Sequence, residues 1–135
     1  MFFGRRKTKT NTNLPDDLLD FLEKADEAYM IAYDARNVDE LKKYMTRECV
    51  IKVSRLASET GGARYFSTDK FRETLWSIKN QGMGTLTLIK TVTYKNIRIN
   101  QSYMKVSNDY AEVWSLQFTP SGWVVVNIED CEVTF

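Results

Sequence analysis

The chain predicts an α+β domain, with three helices in its N-terminal half packed on a curved, mainly antiparallel sheet that a bent C-terminal meander completes. Three observations carry this. Apolar residues from Leu18 to Tyr33 recur at the 3.6-residue period of an amphipathic helix. From Thr85 onward the period is two, as in half-buried strands. Turn residues at 107–109 and 119–122 divide that second half. A length of 135 residues suits one domain with a sizeable core.

Residues 1–13 read as a flexible basic arm, and 14–135 as a single domain. Thr8, Thr10, Asn11, Thr12 and Asn13 are polar and show no helical or strand period. Pro15 then suits the first turn of a helix, with Asp16 and Asp17 beside its positive end. Leu18, Phe21, Leu22, Ala25, Ala28, Tyr29, Ala32 and Tyr33 form its apolar face. Asn37 followed by Glu40 fits a helix cap, which predicts a short second helix from Val38 to about Met45.

Cys49, Ile51 and Val53 alternate with Val50, Lys52 and Ser54, which predicts a strand. Ser58-Glu59-Thr60-Gly61-Gly62 reads as a turn, and Ala63–Phe66 as a short return strand. Ser67-Thr68-Asp69 supplies cap residues for a third helix, with Phe71, Leu75 and Ile78 as its stripe and Gly82 and Gly84 as its end. Thr85–Val106 is too long for one regular strand and slips in phase, which predicts a bulge or bend near Lys95-Asn96. Ser107-Asn108-Asp109 reads as a turn. Tyr110, Trp114, Leu116 and Phe118 share one strand face, Thr119-Pro120-Ser121-Gly122 turns the chain, and a last strand runs from Trp123 to about Val133.

Composition excludes much chemistry. The chain has no histidine, the commonest proton shuttle and metal ligand. Ser-His and Cys-His nucleophile pairs and histidine-containing zinc sites are therefore absent. Its two cysteines, Cys49 and Cys131, form no CxxC and cannot build a metal cage alone. They read as half-buried thiols in a reducing cytosol, with a disulfide as the other reading. No cofactor or metal is expected. No apolar run approaches the ~20 residues of a membrane span or resembles a signal peptide, so the chain reads as cytoplasmic, membrane-peripheral, or a soluble domain of a membrane protein.

Net charge is +1, unevenly spread. Residues 1–13 hold Arg5, Arg6, Lys7 and Lys9 and no acid, so the body is mildly acidic. A dedicated nucleic-acid face needs a basic patch that the body lacks. The arm, with Phe2 and Phe3, suits weak, salt-sensitive contact with an anionic membrane at ~1 kcal/mol per basic residue, or reads simply as a solvated tail. Gly61-Gly62 and Gly82-Met83-Gly84 lack the Lys-Ser/Thr pair of a phosphate loop and read as turns.

Three stretches carry a resemblance. Ala28–Leu41 runs from a helix through a short joint into an "Asp-x-Leu" segment, Met104–Val113 holds a "valine, turn, Ala-x-Val" pattern, and Gly122–Ile128 a "Trp-x-Val-x-x-Ile" strand. In this order and spacing, over about residues 14–133, the chain resembles the nuclear transport factor 2-like superfamily, the α+β cone shared by ketosteroid isomerases and import-motor matrix domains. The resemblance implies a pocket between the long helix and the concave sheet. It cannot choose a function, because that fold hosts many.

Tyr29, Tyr33, Phe71, Trp114, Leu116 and Trp123 are the pocket candidates, and they read equally as plain core. Glu112 shares the phase of Tyr110 and Trp114 and is the inward carboxylate candidate. Glu129 and Asp130 lie on opposite strand faces. No catalytic residue is assigned. Val113, Ser115, Val124, Val126 and Ile128 are candidates for an outer face that joins a second copy or another protein. The expected function is a non-catalytic interaction module. The alternative is an isomerase- or dehydratase-like enzyme, or a binder of a small hydrophobic ligand, using the cone pocket. An open pocket with an inward carboxylate favours the enzyme; a pocket filled by rings favours the module.

Overall fold

The computed structural model describes residues 5–10, 14–35, 37–59, 70–96 and 106–131. The architecture is α+β. Among the described residues, two helices, α1 (Asp16–Ala35) and α2 (Arg47–Glu59), accompany five strands: β1 (Arg5–Thr10), β2 (Lys70–Gly82), β3 (Thr85–Asn96), β4 (Val106–Thr119) and β5 (Gly122–Cys131). Strands β2 to β5 form an antiparallel meander in sequence order, and β1 adds to its edge in parallel with β2. No described helix is long and apolar enough to cross a membrane.

The long helix forms where its period places it. Pro15 precedes it, Asp16 and Asp17 occupy its first turn, and the Leu19 amide donates to the Pro15 carbonyl at 3.0 Å. Leu18, Leu22, Ala25, Ala28, Tyr29 and Ala32 are buried. They meet the inner sheet face, where Trp76 of β2, Leu86 and Leu88 of β3, Trp114 and Leu116 of β4, and Val125 and Ile128 of β5 complete one core.

Several sequence expectations are corrected. The second helix shrinks to a single 3₁₀ turn, Leu41–Lys43. Asn37 does not cap it: its side-chain oxygen accepts from the Asp39 amide at 3.0 Å, a local turn that competes with helix. The expected strand at 49–54 is α2. Thr46 caps that helix by accepting from the Cys49 amide at 3.3 Å, and the buried residues Cys49, Val53 and Ala57 are spaced by four. Ile51, which completed the alternation, is 52% exposed. The expected third helix is β2, paired along its length with β3. Its buried side chains, Thr74 and Trp76, sit two apart, while Leu75 of the supposed helical stripe is exposed. Residues 5–10 of the expected arm are β1. Ser107-Asn108-Asp109 lies inside β4, at a register shift. The return strand at 63–66 lies outside the described residues.

Other expectations hold. The register of β3 with β4 shifts between Thr93 and Lys95, beside the expected bulge or bend near Lys95-Asn96. The turn at 119–122 is closed by Thr119, whose hydroxyl donates to the Gly122 carbonyl at 2.8 Å and accepts from the Ser121 amide at 3.1 Å. Gly122 sits at φ +114, a backbone state that favours glycine.

One bulge redirects the last strand. Ser115 pairs with Asn127 and Leu116 with Val125, so Val126 is an extra residue. The bulge reverses the alternation, and Ile128, opposite Trp114, joins Val125 in the core. Ile128 was expected on the outer face; it is 4% exposed and packs inward. The free edge of β5 is met by the segment before α2. The Thr46 amide donates to the Val125 carbonyl at 3.0 Å, and the Val125 amide to the Tyr44 carbonyl at 2.9 Å.

Candidate functional site

Three elements each place a charged side chain in their apolar phase. On α1, Asp26 follows Leu22 by four and precedes Tyr29 by three, on the buried stripe. On β3, Lys90 continues the inward series Leu86, Leu88, Lys90, Val92, all buried. On β4, Glu112 shares its face with Trp114 and Leu116. The register aligns them: Trp76 of β2, Lys90 of β3 and Glu112 of β4 are cross-strand neighbours. The helix then lowers Asp26 and Tyr29 onto this row.

The resulting contacts are short. Lys90 Nζ lies 2.6 Å from Asp26 Oδ1 and 3.0 Å from Glu112 Oε1. Tyr29 donates its hydroxyl hydrogen to Glu112 Oε2 at 2.5 Å, and Trp114 Nε1 donates to Glu112 Oε1 at 3.0 Å. The Glu112 carboxylate thus accepts from an ammonium, a phenol and an indole. Burial, then the Glu112 charge, push the Tyr29 hydroxyl well above the ordinary tyrosine value of 10.0, so it stays a donor.

Aromatic rings close the site. The Lys90 ammonium lies 4.7 Å from the Tyr29 ring centre, 4.9 Å from Trp114, 5.6 Å from Tyr110 and 5.9 Å from Trp76. Tyr29 meets Trp114 edge-on at 5.5 Å, and Trp76 meets Trp114 at 5.1 Å. Lys90 is 0% exposed. A charge this deep is tolerated only when paired and hydrogen-bonded, and the cation–π contacts add to the pairing. Thr74, one inward position along β2 from Trp76, has a buried hydroxyl without a hydrogen-bond partner.

The pocket candidates divide. Tyr29, Glu112 and Trp114 form the site itself. Tyr33 stacks edge-on against Tyr29 at 5.1 Å, and Leu116 is in the core below. Trp123 packs against Phe118 at 4.9 Å, by the β4–β5 turn, and Phe71 lies on β2 with its side chain outside the described residues. Among the outer-face candidates, Val113, Ser115, Val124 and Val126 are half-buried. Sequence reasoning missed Asp26, Lys90 and Trp76. The signal was available, since each charge stands in the phase of its apolar neighbours.

As it stands, the arrangement holds charge and does not expose it. Its acid and base groups are spent on one another, and none faces solvent. Among the described residues, no group of three or more His, Cys, Asp or Glu side chains is placed to hold a metal ion. Cys49 and Cys131 are not joined in a disulfide. Burial pushes Cys49 up to about 11, and its Sγ lies 3.7 Å from Met45 Sδ.

No family model matches the chain, and no curated protein matches it. One solved structure similar to it is the crystal structure of the intermembrane space region of the chloroplast protein ARC6. The TM-score is 0.49 at 10% identity, over 90% of this chain and 99% of that one.

Proposed function

We propose that this domain is a non-catalytic interaction module of the nuclear transport factor 2-like kind, which associates through its outer sheet face, with a second copy as the first partner. The observation that carries the reading is the closure of the interior. The interior between α1 and the sheet, where the cone reading expects a pocket, holds Tyr29, Trp76 and Trp114, each at most 7% exposed, and its carboxylates are bound to Lys90. Groups so paired do not reach a substrate.

The outer face supports association. By register, Thr87, Ile89, Thr91 and Thr93 of β3 lie beside Val113, Ser115 and Gln117 of β4 on the side away from the helices. Charge lies towards the margins of this face: Glu73 and Glu129 flank the central strands on β2 and β5, and Asp109 of β4 pairs with Thr93. At strand and residue spacings of ~4.8 and ~3.3 Å, four strands present on the order of 500 Å² per copy. Two copies bury about 1,000 Å², the lower end of a specific interface. Light scattering at micromolar concentration tests this. A dimer mass that falls to monomer in V113K, with unchanged circular dichroism, is expected; a monomeric wild type rejects self-association.

A second reading rests on one contact. The 2.5 Å bond between Tyr29 and Glu112 pairs a tyrosine with a buried carboxylate, the combination that an isomerase-like cone would use. Saturable quenching of tryptophan fluorescence by a small hydrophobic ligand, lost in E112Q, would favour it.

A further inference from the structure

We infer that the enclosure around Lys90 is a receptor for a primary alkylammonium ion, which the chain fills with its own side chain. This goes beyond the association reading and does not depend on it.

The walls are built without the lysine. Asp26 and Tyr29 come from α1, Trp76 from β2, and Glu112 and Trp114 from β4. Glu112 keeps its orientation through Tyr29 and Trp114, which donate to it at 2.5 and 3.0 Å. The rings brace one another edge-on at 5.1 and 5.5 Å. Removing Lys90 therefore leaves a space that retains its acceptors and its ring faces. Rings around an ammonium are the general means of recognising organic cations. Here two carboxylates, at 2.6 and 3.0 Å, add hydrogen bonds that only a cation bearing N–H groups can make.

Truncation to alanine defines the ligand. K90A loses Cγ, Cδ, Cε and Nζ, the heavy atoms of n-propylammonium. That ion matches the lost atoms in number, charge and hydrogen-bonding capacity. Tetramethylammonium donates no hydrogen bond, and 1-propanol carries no charge.

The experiment is thermal unfolding of the K90A protein in n-propylammonium chloride against sodium chloride at equal ionic strength. The melting temperature should rise saturably, by roughly 4–6 °C at tenfold excess over the dissociation constant. Tetramethylammonium and 1-propanol should give no such rise. K90M, whose side chain occupies the vacancy, should not respond. If K90A does not fold alone, the readout becomes recovery of its circular dichroism on refolding with n-propylammonium. No rise beyond that in sodium chloride, an equal rise in K90M, an equal rise with tetramethylammonium, or no recovery on refolding would each overturn the inference.

Discussion

Lys90 of β3 and Asp26 of α1, 64 residues apart in sequence, form a fully enclosed ion pair at 2.6 Å that ties the long helix to the sheet. The same ammonium reaches Glu112 on the neighbouring strand at 3.0 Å. Such a group stabilises little against an apolar replacement of equal volume, but losing one member strands the others.

K90M should therefore be costly. It leaves two buried carboxylates without their cation, and urea unfolding should show a loss of about 3–5 kcal/mol. Combining it with D26L and E112Q should recover most of that loss. If the combined variant is no more stable than K90M, the cost lies in packing and not in stranded charge.

Tyr29→Phe removes one of the three donors to Glu112. A hydrogen bond to a charged acceptor contributes about 1.5–3 kcal/mol, so a loss in that range is expected at neutral pH. The pH dependence has a definite sign. Folding raises the Tyr29 value above 10.0, so its contribution is complete below that pH and is lost as pH climbs through the folded value. The phenylalanine variant has nothing to ionise there. The stability gap between wild type and Y29F should accordingly narrow above pH 10, as followed by chemical denaturation across alkaline buffers.

The bulge at Val126 predicts a contrast between neighbours. Ile128 is buried against Trp114, and I128A should cost about 2–5 kcal/mol. Val124, opposite Gln117 on the outer face, should tolerate V124T within about 0.5 kcal/mol. Equal costs at the two positions would contradict the inverted phase.

Thr46 begins α2, and its side chain accepts from the Cys49 amide. T46A should lower stability by about 1 kcal/mol, with Thr46→Ser close to neutral. Thermal melts of the pair separate the cap from mere packing of the threonine methyl.

Much of this domain is determined locally. The extent and buried face of α1 follow from one uninterrupted helical period, begun by Pro15 and its two aspartates. The turn at 119–122 follows from Pro120 and Gly122. The inward set on β4, from Glu112 through Trp114 to Leu116, follows from alternation alone. In each case a single periodicity fits the residues, so the chain needs no distant information to choose.

Elsewhere two periods compete, and only tertiary structure decided between them. Cys49, Ile51 and Val53 alternate like a strand, while Cys49, Val53 and Ala57 repeat like a helix; the Thr46 cap and the core-facing spacing settle it. Phe71, Leu75 and Ile78 suit a helix, while Thr74, Trp76 and Ile78 suit a strand, and continuous pairing with β3 prevails over the local stripe. The reversed phase of Ile128 comes from a bulge that no local pattern announces. The buried network was the least legible feature. Asp26 and Lys90 are each an ordinary surface residue when taken alone, because an isolated charge belongs in water, and Glu112 had its strand phase but no visible partner. They become interior residues only when three elements meet and each charge finds its partner on another.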